Sequence, residues 1–191
     1  MLFGIIGSIV LLMVVVFWAV ATYNGLVSLR GQCENAWAQI DVQLKRRYDL
    51  IPNLVETVKG YASHERETLD AVISARAKAV QTHDSSGAGV GEQARAEGEL
   101  SQALGRLMVV SEAYPDLKAN QNFSQLQEEL TSTENKIGFA RQHYNDTTTT
   151  YNIKIEQIPA NIIAGLGNFR DRELFELEDA AQREAPSVSF S

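Results

Sequence analysis

The chain has 191 residues, a formal net charge of −7 and a single cysteine. This length suits one ordinary domain, and the lone cysteine excludes an intramolecular disulfide and a metal site built from several thiolates. Residues 81–191 hold nine basic against seventeen acidic side chains. Because a nucleic-acid module needs a basic face, this acidic half argues against nucleic-acid binding.

The chain begins with a long apolar run. From Leu2 to Tyr23 the sequence is LFGIIGSIVLLMVVVFWAVATY, 22 residues without a charge. At about 1.5 Å per residue, a helix of this length crosses a hydrocarbon core of roughly 30 Å. The residues that define the predicted membrane span are Leu2, Ile5, Val10, Leu11, Val15, Phe17, Trp18, Val20 and Tyr23. We therefore predict a transmembrane anchor over residues 1–27 and a single-pass protein.

The alternative to a retained anchor is a cleaved signal peptide, because Ala19 and Ala21 have the small-x-small spacing of a cleavage site. No Lys or Arg precedes the run, however, and the run is longer than a usual signal sequence. Within the span, Gly4 and Ser8 are small residues four apart, a spacing that lets two helices approach closely. This favours an anchor that packs laterally.

After the anchor, apolar residues recur three or four positions apart, the spacing of amphipathic helices. We predict a bundle domain over residues 28–181 and a flexible tail over 182–191. The predicted helices cover about 28–81 with a kink or break near Pro52, 92–112, 122–158, and a short last helix at 170–181. Pro52 matters because an interior proline removes a hydrogen bond and clashes with the preceding turn.

The sequence offers no recognisable catalytic, cofactor or metal site. His64-Glu65 starts like a zinc-protease helix, but Thr68 stands where the second histidine is needed. Acidic pairs such as Glu97 with Glu99 are interpreted as solvated helix surface. We therefore predict that the protein is not an enzyme and binds no cofactor.

Two groups of polar residues are candidates for interactions. Lys45, Arg46 and Arg47 form the one basic cluster of the chain, which could face lipid headgroups. Asn145 and Asn152 lie one heptad apart on the predicted helix 122–158. Buried asparagines often set the register of packed helices, and the alternative interpretation is a polar groove for a partner segment.

Residues 35–61, NAWAQIDVQLKRRYDLIPNLVETVKGY, followed by His64-Glu65, resemble the bacterial LemA family. The second block that carries the resemblance comprises Tyr114, Pro115, Leu117, Asn120, Asn122, Phe123, Leu126, Gln127, Glu129, Leu130, Thr133, Glu134, Asn135, Arg141, Tyr144, Asn145, Tyr151, Asn152 and Pro159. The segment from Ala164 to Phe169 is more glycine-rich than the family pattern.

The resemblance implies a membrane-anchored bundle of long antiparallel helices and implies no catalytic residue or cofactor. Together with the helices predicted above, the expected fold class is all-α: a single N-terminal transmembrane helix followed by an antiparallel bundle of three long helices and one short one. The expected location is the bacterial cytoplasmic membrane. Because Arg30 and the basic cluster follow the span, the positive-inside rule favours a cytoplasmic domain.

The leading functional hypothesis is a non-enzymatic scaffold in the lipid bilayer that forms homo-oligomers and organises or shapes the membrane. One version pairs the near-neutral first helix of one subunit with the acidic second half of another. The second hypothesis is a regulatory adaptor that docks other membrane proteins, such as a protease or a signalling protein. The third is an enzyme whose site the sequence does not reveal.

Overall fold

A computed structural model describes residues 1–62, 64–85 and 87–176. Within those ranges the chain forms six α-helices and no β-strand. In chain order the helices are α1 (Leu2–Lys59), α2 (Arg66–Asp84), α3 (Val90–Ser111), α4 (Pro115–Lys118), α5 (Gln121–Glu156) and α6 (Ala160–Leu166). The predicted all-α class with one long apolar N-terminal helix is confirmed.

The first helix does not break at Pro52, which lies inside α1. Pro52 is exposed, whereas Ile51 and Leu54 beside it are buried. An interior proline costs about 3 kcal/mol, and the packing of the buried neighbours offsets this cost. Tertiary packing therefore keeps α1 continuous where the local sequence favours an interruption.

The predicted single helix over 28–81 is wrong, because α1 ends at Lys59 and α2 begins at Arg66. Gly60 follows the last residue of α1 directly, and glycine is a poor helix former. The amides of Tyr61 and Ala62 close the end by donating to the carbonyl of Val58 at 3.0 and 2.8 Å.

The other two long helices agree with the sequence to within two residues. α3 (Val90–Ser111) corresponds to the helix predicted over 92–112, and α5 (Gln121–Glu156) corresponds to the helix predicted over 122–158. The start of α5 is capped, since the amide of Phe123 donates to Oδ1 of Asn120 at 3.1 Å. Pro115 opens α4, where a proline in the first helical position loses no hydrogen bond.

The predicted helix over 170–181 is wrong for residues 170–176, which are not helical. Residues 177–181 and the predicted tail over 182–191 lie outside the described residues. The short helix of this region is α6, and Asn168 shortly after it has a φ of 54°, a left-handed conformation that ends a helix. Side chains of α5 then bind the backbone groups that a helix would have paired internally.

The contacts of the chain define two compact units. The predicted limits of the anchor, 1–27, and of the bundle domain, 28–181, stay predictions. Of the described residues, unit 1 comprises Met1–Asp41 with Phe139–Leu174, and unit 2 comprises those within Val42–Gly138 with Phe175 and Glu176. α1 and α5 therefore contribute to both units.

In unit 1, α1 and α5 run antiparallel. Leu26, early in this part of α1, shares a buried cluster with Ile155 near the end of α5. Further along α1, the ring of Trp37 contacts Tyr144, with ring centroids 5.4 Å apart. Cys33, Tyr151, Ala164 and Phe169 complete the buried cluster. Cys33 is a buried free cysteine that packs as a small residue in this cluster.

In unit 2, α1 and α5 are antiparallel as well. Arg46 of α1 lies 3.6 Å from the carboxylate of Glu129, and past the end of α1 the hydroxyl of Tyr61 accepts a hydrogen bond from Asn120 at 2.9 Å. α2 and α3 pack as neighbours. The buried residues of this unit include Leu44, Ile51, Leu54, Val58, Val72, Ala79, Leu100, Leu107, Leu117 and Phe123.

Candidate functional site

A charged side chain occupies the core of unit 2. Arg47 is only 1% exposed, although Lys45 and Arg46 beside it are exposed. Arg47 lies three residues after Leu44 and four before Ile51, so the helical repeat of α1 places it on the buried face. The predicted basic cluster is therefore not one surface, because its third member points into the protein.

Arg47 is paired with two carboxylates from two other helices. Its Nη2 donates to the carboxylate of Glu97 on α3. Its Nη1 donates to Glu134 on α5 at 2.7 Å and to the hydroxyl of Ser101 at 2.9 Å. Ser101 in turn donates to Glu134 at 3.2 Å. One guanidinium thus joins α1, α3 and α5 of this unit.

Glu97 is the buried partner of this network, with a side chain only 3% exposed. Oε1 of Glu97 accepts hydrogen bonds from the hydroxyl of Tyr48 and from the amide of Gln93, the latter at 2.6 Å. Gln93 also donates to the Tyr48 hydroxyl at 3.1 Å. The interpretation of Glu97 as solvated surface is therefore wrong, whereas Glu99 is exposed and paired with Lys78 at 2.7 Å.

Donors surround the Glu97 carboxylate, so the network favours the anion and holds it still. A group that exchanges protons with a substrate needs access to it, and this pair is shielded from solvent. We interpret the network as a device that sets the register of three helices, the best attested use of buried charges. Spacing from Leu100 and Leu104 places Glu97 on the apolar face of α3, a signal that the sequence does contain.

In unit 1, Asn152, a candidate from the sequence, binds Arg172 of the same chain. Arg172 lies in residues 170–173, which we call the C-terminal segment. Its Nδ2 donates to the carbonyl of Arg172 at 2.9 Å, and its Oδ1 accepts from the amide of Arg172 at 3.0 Å. One asparagine thus satisfies both backbone groups of one residue, as a neighbouring strand would. The polar groove considered for a partner is filled here by residues of the same chain.

Two tyrosines of α5 extend this contact along the segment. Tyr151 donates to the carbonyl of Arg170 at 3.1 Å, and Tyr144 donates to the carbonyl of Glu173 at 2.9 Å. Burial raises the pKa of the Tyr144 and Tyr151 hydroxyls above the ordinary tyrosine value of 10.0. The neutral, donating form of each tyrosine is therefore favoured. Asn145 lies half-buried on the same helix, and its role stays a prediction.

The candidate membrane span is exposed, and its last residue, Tyr23, contacts the ring of Phe169. Each of the nine residues that define it is exposed, and an 18-residue window near the N-terminus of α1 has a mean hydropathy of 2.7 with none of it buried. By length and composition, α1 can cross a membrane. Within this part, Ser8 donates to the carbonyl of Gly4 at 3.0 Å, and nothing lies within 4 Å of where a Gly4 side chain would start.

His64 and Glu65 do not assemble into a metal site with a third ligand. Among residues 1–62, 64–85 and 87–176, no group of three His, Cys, Asp or Glu side chains is placed to hold a metal ion. Glu65 accepts a hydrogen bond from the hydroxyl of Tyr114 at 2.9 Å. This hydrogen bond raises the pKa of Tyr114 above 10.0.

An open groove of about 390 Å³ lies between α1 and α5 in unit 2. It is lined by Asn53, Glu56, Thr57, Asn122, Gln125, Leu126 and Glu129. Glu129 faces Arg46, and Thr57 donates to its own helix at the carbonyl of Asn53. Most of the lining consists of amides and carboxylates of helix faces, and the Thr57 hydroxyl is hydrogen-bonded to its own helix and not to a base, so the groove has no arrangement typical of catalysis.

These features define a class: an all-α protein with one candidate membrane span, whose buried polar groups join its own helices. The sequence profile of the LemA family matches residues 36–190. The chain belongs to the LemA family.

Three curated relatives are similar to the chain over most of its length. Magnetosome protein MamQ 2 of Paramagnetospirillum magneticum is 26% identical over 181 residues, which cover 83% of this chain and 66% of the relative. Magnetosome protein MamQ of Magnetospirillum gryphiswaldense is 23% identical over 80% of this chain and 64% of the relative. Protein LemA of Metamycoplasma hominis is 27% identical over 78% of this chain and 66% of the relative. The chain thus spans just under two thirds of the length of these relatives.

Proposed function

We propose that this protein is a non-enzymatic scaffold, anchored in the bacterial cytoplasmic membrane by the start of α1, that assembles with copies of itself. The observation that carries the proposal is the apolar start of α1, which is exposed along its whole length and continues into one helix as far as Lys59. Exposed side chains of this kind are unstable in water and require a lipid or protein environment. The anchor and the first bundle helix are one element.

The buried polar groups support a scaffold over an enzyme. Arg47 forms an ion pair with Glu97 inside unit 2, and Asn152 forms hydrogen bonds with the backbone of Arg172 inside unit 1. Such pairs give a defined packing arrangement without presenting reactive groups. Two of the relatives are magnetosome proteins by name. For this chain we propose a structural role at a membrane.

Self-assembly is supported by surfaces that the single chain leaves open. Gly4 and Ser8 present a small-residue face in the span, where a second span could approach closely. Outside the span, the Phe139 ring of α5 is 75% exposed, so a second copy could cover it. Many copies of an anchor joined to long helices would organise or shape the membrane that holds them.

The test is the mass of the particle extracted in mild detergent, combined with cross-linking in cells. We expect a homo-oligomer, and we expect Gly4→Ile to lower its mass because the added side chain separates the spans. Since a Gly4 side chain meets nothing within the single chain, the substitution leaves the monomer intact. Met13→Ile is the matched control, because nine residues place it on the opposite face of the helix.

A strict monomer in detergent, with no cross-linked species in cells, would refute self-assembly. A particle containing one copy and one stoichiometric foreign protein would instead identify an adaptor.

The cytoplasmic orientation is tested separately with Asn135→Cys, an exposed position on α5. We expect an impermeant maleimide to label this cysteine only after the cells are opened, and labelling of intact spheroplasts would reverse the topology.

A further inference from the structure

A second uncharged stretch lies far from the N-terminus in sequence. Between Glu156 and Arg170 the residues are QIPANIIAGLGNF, 13 positions without a charge. α6 lies inside this stretch. In a protein with 21% charged residues, a surface stretch of this length without a charge is unusual and needs a physical reason.

α6 and the turn before it have one buried side and one exposed apolar side. Ala160 and Ala164 are buried in unit 1. In contrast, Ile158 is 85% exposed, Ile162 is 61% exposed and Leu166 is 82% exposed. Ile162 and Leu166 are four residues apart within α6, so they follow one another along its outer side, and the exposed Ile158 lies in the turn before the helix. Ala160, Ala164 and the partly buried Ile163 face the protein.

This outer side lies beside the end of the candidate membrane span. Ala164 and Phe169 belong to the buried cluster that contains Leu26 of α1. The ring of Phe169 contacts Tyr23 edge-on, with centroids 5.5 Å apart, and Tyr23 is the last residue of the apolar run. Leu26 is three residues further on, which is about 4.5 Å along a helix. α6 therefore lies at the level where α1 leaves the hydrocarbon core.

The polar surroundings also suit a membrane interface. The guanidinium of Arg30 lies over the Phe169 ring, 5.2 Å from its centroid, and Arg170 follows at an exposed position. Basic residues at this depth can bind phosphate groups of anionic lipids, and Tyr23 is a side chain typical of the interface. Exposed isoleucine and leucine beside them are typical of a helix that lies in the interface plane.

We propose that the outer side of α6 and of the turn before it, formed by Ile158, Ile162 and Leu166, inserts into the headgroup and acyl-chain boundary of the bilayer that α1 crosses. The inference rests on the proposed anchoring, because the bilayer is placed by the apolar run of α1. The protein then has two membrane contacts in unit 1, a spanning helix and a helix lying in the interface. The second contact limits tilting of α1 about its exit point.

The experiment uses the full chain in liposomes of phosphatidylethanolamine and phosphatidylglycerol, with a nitroxide label at one introduced cysteine. The test positions are Ile162→Cys and Leu166→Cys, and Cys33→Ala removes the native thiol. Phe17→Cys reports the span, and Asp146→Cys reports an exposed site on α5 in the same unit. Collisions with oxygen and with a water-soluble nickel complex distinguish lipid from water. Circular dichroism of each variant checks its fold.

We expect both α6 labels to lose nickel collisions and gain oxygen collisions relative to Asp146→Cys, at a depth shallower than Phe17→Cys. If the α6 labels are as accessible to nickel as Asp146→Cys while Phe17→Cys stays in lipid, the inference is overturned and the anchoring stands. If Phe17→Cys is also in water, the anchoring itself fails. Labels protected from both reagents would mean that protein covers α6, which also overturns the inference.

Discussion

Replacing Arg47 by methionine tests the buried ion pair of unit 2. Methionine keeps a flexible, unbranched apolar chain in place of the arginine stem, but it is shorter and removes the guanidinium cation. The side chains of Arg47 and Glu97 are 1% and 3% exposed, so the Glu97 carboxylate would remain buried without its cation. Breaking a buried pair by removing one partner costs about 3–5 kcal/mol.

The structure places the expected loss at the lower end, about 3 kcal/mol. Tyr48 and Gln93 still donate to the Glu97 carboxylate in the variant. The substitution also removes Nε of Arg47, a buried donor without a hydrogen-bond partner, whose presence is unfavourable in the native protein. Both effects reduce the loss without cancelling it.

The assay is thermal unfolding of the detergent-solubilised full chain, followed by circular dichroism. For a chain of this size each kcal/mol shifts Tm by about 2–4 °C, so we expect Arg47→Met to lower Tm by roughly 6–12 °C. Arg46→Met is the matched control, since Arg46 and Glu129 are 48% and 53% exposed. Exposed pairs contribute less than about 1 kcal/mol, so the control should shift Tm only slightly.

A double substitution distinguishes a stranded charge from lost packing. In Arg47→Met with Glu97→Gln both charges of the pair are absent while Tyr48 and Gln93 keep an acceptor, and we expect most of the lost stability to return. The reasoning is refuted if Arg47→Met is no less stable than Arg46→Met, or if the double variant is less stable than both single variants.

Three further substitutions concern unit 1. Asn152→Ala removes both hydrogen bonds to the C-terminal segment; we expect a loss of about 1–2 kcal/mol and faster hydrogen exchange at the amide it binds. Gly167→Ala would place a Cβ 2.5 Å from the Phe169 ring, and we expect overpacking to cost about 1–3 kcal/mol. Tyr144→Phe removes one hydrogen bond, and we expect a loss of about 1 kcal/mol at neutral pH. Because the folded pKa of Tyr144 is raised, wild-type stability is complete below pH about 10 and falls as pH rises further, and the variant should lose less over that range.

Each of these predictions has a control in the same chain. Asn135→Ala alters an exposed asparagine and should leave exchange of the segment unchanged; equal effects at both asparagines would contradict the bidentate contact. Gly165→Ala meets nothing within 4 Å and should be neutral or slightly stabilising, so equal losses at Gly165 and Gly167 would contradict the overpacking. An alkaline stability profile of Tyr144→Phe identical to that of wild type would contradict a role for this hydroxyl.

The sequence alone determined the features that arise from local periodicity and composition. The apolar run, the limits of α3 and α5 and the buried faces at positions such as Leu44 and Leu107 follow from the 3.6-residue repeat and the placement of prolines. Family membership followed from long blocks of matching residues. These features need no knowledge of neighbouring helices, because propensity, capping and amphipathic spacing act within one segment.

The tertiary structure decided where local signals conflict with packing. Pro52 stays inside α1 because its buried neighbours stabilise the turn, and Arg47 lies in the core because Glu97 and Glu134 arrive there from two other helices. Residues 170–173 are not helical, and side chains of α5 bind their backbone groups. In each case the deciding partner is distant in sequence, so its energy enters only when the helices pack.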